Sequence, residues 1–138
     1  MGQFNLIKKQ KEIDHFDYWD GRILDLQILY FGDEVHLYVE DYDSYKPNLE
    51  DCWKVSFIGC SMFNCETDAR ERKNFKVKDF KKIELYTCQD ISLDYYDEIF
   101  TKCTIDLEGL VVLKFLCKEI NIEKVSISEQ EFFWKDNF

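Results

Sequence analysis

The sequence predicts a mainly β fold: an antiparallel two-sheet sandwich or a strongly curled sheet, with short helices near the ends. Three observations carry this. Leu24, Leu26, Ile28 and Tyr30, then Val35, Leu37 and Val39, alternate with more polar neighbours, the period of a strand with one buried face. Ala69 is the only alanine, beside many Ile, Val, Phe and Tyr, a balance that favours strands over helices. Gly32-Asp33 and Glu108-Gly109 are turn signals set between apolar runs.

The elements follow in order. Phe4–Ile13 places apolar groups at Phe4, Leu6, Ile7 and Ile13, which fits either a short helix or a strand. Leu24–Tyr30 and Val35–Glu40 form a hairpin with one buried and one wet face. Ser44–Asp51, with Lys46-Pro47-Asn48, reads as a loop, and Cys52–Cys60 as the next strand. Asn64–Lys73 is polar, with room for one helical turn. Phe75–Phe80 and Ile83–Cys88 are shorter strand candidates. Glu98–Leu107 and Leu110–Cys117 make a second hairpin, and Ile120, Ile122, Val125 and Ile127 extend the β pattern. Ser128-Glu129-Gln130-Glu131 has capping-box spacing, so a short terminal helix is expected, its Phe132, Phe133 and Trp134 covering a sheet face or edge. Trp53–Ile58 and Val111–Leu116 share a pattern that two related halves or two ordinary buried strands would both produce.

At 138 residues, residues 1–138 are expected to form a single domain. Apolar residues are 46% of the chain, enough for a core without disulfides or a structural metal. Leu110–Leu116 is the most apolar run and is far short of the ~20 residues that span a bilayer. Lys8, Lys9 and Lys11 are not followed by the apolar stretch of a signal peptide. Leu6 stands where a myristoylation motif wants Ser or Thr. A cytoplasmic setting is expected, with Cys52, Cys60, Cys65, Cys88, Cys103 and Cys117 as reduced thiols, several of them on apolar alternation where a thiol packs as a small hydrophobe.

The net charge of −10 repels nucleic acid and anionic lipid and attracts basic proteins, so neither nucleic acid nor membrane is an expected partner. Between Asp33 and Asp51, Lys46 is the lone Lys or Arg; Arg70–Lys82 is basic and reads as a solvated face offsetting nearby acid. Two tyrosine–carboxylate clusters stand out: Asp41-Tyr42-Asp43-Ser44-Tyr45 and Asp94-Tyr95-Tyr96-Asp97-Glu98. Tyrosine gives large contact area with few rotors, and an acidic rim speeds encounter with a cationic partner. The candidate binding residues are Tyr38, Glu40, Asp41, Tyr42, Asp43, Tyr45, Tyr95, Tyr96 and Asp97, projecting outward from the sheet. The bland alternative is that these tyrosines lean back over the sheet while the acids only aid solubility.

Trp19-Asp20-Gly21-Arg22-Ile23-Leu24-Asp25-Leu26, the Gly-Asp turn, the alternating strand and Val55-Ser56-Phe57-Ile58-Gly59-Cys60 together resemble small immunity-type proteins of bacterial polymorphic toxin systems. The resemblance covers the first half of the chain. Trp19 departs from it, standing where that pattern usually has His, so no His–Asp pair is carried over. It implies a non-catalytic protein that binds and neutralises a cognate toxin, a basic protein when the toxin is a nuclease.

The search for reactive chemistry returns little. His15 and His36 lack metal-ligand spacing, Cys60 and Cys65 do not form a Cys-x-x-Cys clip, and no phosphate loop or nucleophile elbow occurs. Asp41-Tyr-Asp-Ser-Tyr45 lacks the glycine of a calcium loop. No metal, cofactor or catalytic residue is expected. The rival readings are a small hydrolase using a carboxylate pair (Glu40, Asp41, Asp43, Glu50, Asp51, Asp97, Glu98) or a thiol beside His36, and a protein that homo-oligomerises through an edge strand.

Overall fold

The structure, a computed structural model, describes residues 3–16, 18–43, 46–68, 70 and 75–137; for 3, 4, 42, 43 and 46–49 it describes the backbone alone. The fold is mainly β. One helix, α1 (Gln3–His15), precedes eight strands: β1 (Ile23–Leu29), β2 (Glu34–Asp43), β3 (Lys46–Ile58), β4 (Ser61–Thr67), β5 (Asp90–Tyr95), β6 (Thr101–Leu107), β7 (Val111–Cys117) and β8 (Glu119–Ser126). They form two antiparallel four-stranded sheets, ordered β1-β2-β3-β8 and β4-β7-β6-β5. No helix among the described residues is long and apolar enough to cross a membrane.

Adjacent strands pass between the sheets at one corner. β3 runs into β4 through Gly59, and β7 into β8 through Lys118, whose N–H donates to the Ile58 carbonyl at 2.9 Å. Gly59 has φ +70°, and the Lys118 stem would lie 2.9 Å from a β-carbon there, so both the turn and the packing require glycine. Elsewhere the backbone of 20–23 bonds that of 86–88: Ile23 N–H donates to the Tyr86 carbonyl and Cys88 N–H to the Gly21 carbonyl, each at 2.8 Å. Alternate side chains of both sheets meet in the core, where Phe57 and Phe115 pack edge to face at 5.1 Å. These two residues belong to the two similar apolar runs noted in the sequence.

α1 resolves the ambiguity at Phe4–Ile13 in favour of a helix. Leu6, Gln10 and Ile13 share one face at i, i+4 and i+7, and the polar Gln10 in that row obscured the period. Gln10 Oε1 accepts from Leu93 N–H at 2.7 Å and its Nε2 donates to the Ile91 carbonyl at 3.0 Å. The side chain thereby takes the place of a neighbouring strand beside β5.

A second apolar cluster lies on the other face of the first sheet. Leu24, Tyr38 and Cys52 are covered there by Phe80, Leu85, Ile127, Phe132 and Trp134. This cover accounts for several departures from the sequence reading. Phe75–Phe80 and Ile83–Cys88 are not strands but 3₁₀ turns at Val77–Asp79 and Lys82–Glu84, with a single bridge from Thr87 to Arg22. Their backbone bonds close locally, as in Phe80 N–H to the Val77 carbonyl at 3.0 Å, while Phe80 and Leu85 anchor the segment to the sheet. Phe132 and Trp134 do cover a sheet face while Phe133 is exposed, and the segment forms 3₁₀ turns at Ile127–Glu129 and Phe133–Asp136. Ser128 meets the Ser126 hydroxyl at 2.9 Å instead of capping a helix. Trp134 Nε1 donates to the Leu24 carbonyl at 2.8 Å, fixing this cover in place.

Two further expectations are corrected. Ser44–Asp51 is not a loop throughout, because β3 begins at Lys46 and pairs Pro47 with Tyr42; residues 44 and 45 lie outside the described residues. Within Asn64–Lys73, Asn64–Thr67 extend strand β4 in regular pairing with Lys114 to Val111, so any helical turn falls after them; Arg70 has 3₁₀ geometry, and 69 and 71–73 lie outside the described residues. β5 was not anticipated at all.

Candidate functional site

The nine sequence-derived candidates divide into three groups. Tyr38, Glu40 and Asp41 do not project outward as expected: all three are buried. The second cluster explains Tyr38, whose ring meets Phe132 edge to face at 5.0 Å and whose hydroxyl pKa is raised chiefly by burial. Glu40 is 2% exposed and ion-paired, with Arg22 Nη1 3.6 Å from Oε1 and Lys82 Nζ 3.5 Å from Oε2. Asp41 Oδ1 accepts from Trp53 Nε1 at 3.1 Å, and Lys124 Nζ stands 3.1 Å from Oδ2 and 4.9 Å from the Trp53 ring centroid. A register shift in β2 between Glu40 and Tyr42 lets these successive acids reach different partners. Such desolvated carboxylates need cations close by, and each has them.

The second group is Tyr42, Asp43 and Tyr45. Tyr42 and Asp43 pair with Pro47 and Lys46 through the backbone, their side chains are not described, and Tyr45 lies outside the described residues.

The third group, Tyr95, Tyr96 and Asp97, sits at the β5–β6 connection on the second sheet. Both tyrosines are about half exposed, between exposed Asp94 and Glu98. Tyr95 Oη donates to Glu98 Oε1 at 3.0 Å, and that bond is the first cause of its raised pKa. Asp97 builds the loop: its Oδ1 accepts from Ile99 N–H at 2.8 Å and from Phe100 N–H at 2.6 Å. Tyr96 leans over the outer face of the sheet, where a shallow hollow of about 280 Å³ is lined by Met62, Asn64, Lys102, Lys114, Phe115 and Leu116 as well.

From this hollow an apolar surface continues to residues the sequence reading missed. Met62 is 75% exposed. Its neighbour Phe63 stacks on Phe115 at 5.6 Å and lies against Gly32 in the β1–β2 turn. That turn presents Tyr30 and a fully exposed Phe31. Five described non-glycine residues have positive φ: Asp20, Tyr30, Phe31, Met62 and Glu108. Tyr30, Phe31 and Met62 are thus both strained and exposed with large apolar side chains, a coincidence that packing does not require. The available signal was an aromatic pair, Tyr30-Phe31, beside Gly32-Asp33 where small polar turn residues are usual.

Five of the six thiols are buried or half-buried, while Cys65 on β4 is exposed. Burial pushes Cys52 up to about 11 and Cys60 and Cys88 up to about 12. Cys103 and Cys117, buried 3.4 Å apart, share a contact that raises the Cys103 pKa. His36 Nε2 lies 3.0 Å from Glu34 Oε1. Among the described residues, no three His, Cys, Asp or Glu side chains are grouped to hold a metal ion.

Comparison with known proteins gave three results. The family model described as Immunity protein PIM7 matches residues 5–124. This match extends well beyond the first half of the chain. A comparison with curated proteins gave no match. Among solved structures, an uncharacterized protein from Neisseria gonorrhoeae is similar, at 14% identity with a TM-score of 0.51, over 77% of this chain and 92% of that one. At that identity the likeness shows the fold alone.

Proposed function

Because this chain belongs to the immunity protein PIM7 family, we propose that it protects the cell by binding a cognate toxin directly, without catalysis. The contact surface runs from Tyr95 and Tyr96 across Met62 and Phe63 to Tyr30 and Phe31. One observation carries this reading: Tyr30, Phe31 and Met62 hold large apolar side chains exposed on strained backbone, and Phe63 against Gly32 joins them into one surface. Exposed aromatics of this kind serve as anchors that slow dissociation. Asp33, Asp94 and Glu98 beside them, with the net charge of −10, favour a basic partner in the cytoplasm. Tyr42, Asp43 and Tyr45 are proposed as a second acidic–aromatic contact at the β2–β3 tip.

Co-expression with the toxin encoded beside this protein tests the reading. The wild-type chain should restore growth and co-purify with the toxin, and Tyr96→Ala with Met62→Ala should impair both. Full protection by a chain that forms no complex would reject direct binding.

A further inference from the structure

Resting on the toxin-binding reading above, we propose that β4 is the seat of recognition: its open edge receives an extended, positively charged segment of the toxin as a ninth strand. An unpaired strand edge offers a row of N–H and C=O groups ready to template another chain, and proteins ordinarily block it. Three of the four sheet edges here are blunted. β5 is capped by the Gln10 amide, which bonds Ile91 and Leu93. β1 is joined at its start by residues 86–88, and Asp25 Oδ1 accepts from Leu26 N–H at 2.9 Å, occupying a donor farther along. β8 carries Glu119, Glu123 and Lys124.

β4 differs. Met62 through Glu66 are exposed, and β7 is the strand's one ladder neighbour among the described residues. Its sequence, Ser61-Met62-Phe63-Asn64-Cys65-Glu66-Thr67, holds no proline and no lysine. The bulge at Met62 affects only its start; Asn64–Thr67 keep unbroken register with β7. Main-chain bonds along Asn64–Thr67 would supply affinity, and alternate side chains of the added strand would reach Met62 and Phe63 on the apolar surface.

Charge selects the occupant. Glu66 is the only charged side chain on β4; Lys114 stands opposite Asn64 on β7, and the turn abutting β4 through Gly32 and Phe63 carries Asp33 and Glu34, so acids outnumber bases along this edge. A second copy would bring the same acids and a further −10 charge to the edge. A segment with lysine or arginine at alternate positions complements it.

Amide hydrogen exchange, read residue by residue with the purified toxin encoded beside this protein, tests the proposal. Asn64 and Glu66 share the parity of Asp68, whose N–H bonds the Leu110 carbonyl, and so face β7; in the complex, exchange at Cys65 and Thr67, which face the open edge, should slow at least tenfold, and Glu66→Lys, at an exposed site, should weaken binding tenfold or more with an unchanged melting temperature. A complex that leaves exchange at Cys65 and Thr67 unaltered, or that tolerates Glu66→Lys, overturns the added strand while leaving toxin binding intact. Absence of any complex with the wild-type chain overturns both. Slowing of the same amides in the protein alone as its concentration rises, with a mass above 16.7 kDa, assigns the edge to self-pairing and overturns the proposal.

Discussion

Phe63 on β4 lies so close to Gly32 in the β1–β2 turn that a β-carbon at Gly32 would stand 3.2 Å from Phe63 Cε2. Gly32 also has φ +94°. The contact links the Phe31 tip to the open strand and makes the two one surface. Gly32→Ala is therefore expected to destabilise the protein by about 1–2 kcal/mol, from left-handed strain and the displaced ring. Urea unfolding reads it, and an unchanged midpoint would mean that the tip moves freely of β4.

Phe31 separates stability from binding. Its φ of 57° disfavours a bulky side chain, and its ring buries nothing. Phe31→Gly should raise stability by about 1 kcal/mol while weakening toxin binding, the trade expected where strain is held for function. A variant less stable than wild type would show that the ring serves the fold.

Asp97 tests whether the tyrosine–carboxylate turn works through charge or through shape. Its Oδ1 holds the amides of Ile99 and Phe100. Asp97→Asn keeps an acceptor and should bind the toxin nearly as wild type does. Asp97→Ala frees both amides and should loosen Tyr95 and Tyr96, with faster exchange at Ile99 and Phe100. Equal losses of affinity in the two variants would make the charge itself the contact.

Glu40 is shared between Arg22 and Lys82. Both cations are about one-third exposed, so each alone is replaceable by water to some degree. Arg22→Ala and Lys82→Ala should each destabilise by about 1–2 kcal/mol, and the double variant by more than their sum, because only then is the buried carboxylate stranded. Strict additivity in chemical denaturation would show that the pairs act separately.

Alkaline pH should also reveal the buried thiols. The ordinary thiol value is 9.0, and Cys88 in the fold is pushed up to about 12 by burial. A folded pKa above the unfolded one gives stability that is whole below pH 9 and falls as pH rises towards 12. The slope is about 1.4 kcal/mol per pH unit for such a group. Cys88→Ala should flatten the decline between pH 9 and 11; an unaltered slope would place the cause elsewhere.

The alternating strands were legible because β1, β2, β6 and β7 present one face to the core and meet at Gly32-Asp33 and Glu108-Gly109. What alternation could not convey was a second cover over the opposite face. Phe132, Trp134 and Phe80 come from distant parts of the chain, so Tyr38 and Glu40 looked solvent-facing until those segments were in place. The same distance hid Arg22 and Lys82 from Glu40. Tyr95 and Tyr96 were legible as exposed because a local turn sets their position. Phe31 was not, since its meaning rests on backbone strain and on neighbouring β4, neither of which has a sequence period.

The exposed aromatic surface is proposed to grip the toxin. Titration calorimetry of the purified toxin against Tyr96→Ala/Phe31→Ala chains measures it most directly. The account predicts Kd raised by two orders of magnitude or more (about 3 kcal/mol), with melting unaltered; a Kd within twofold of wild type would contradict it.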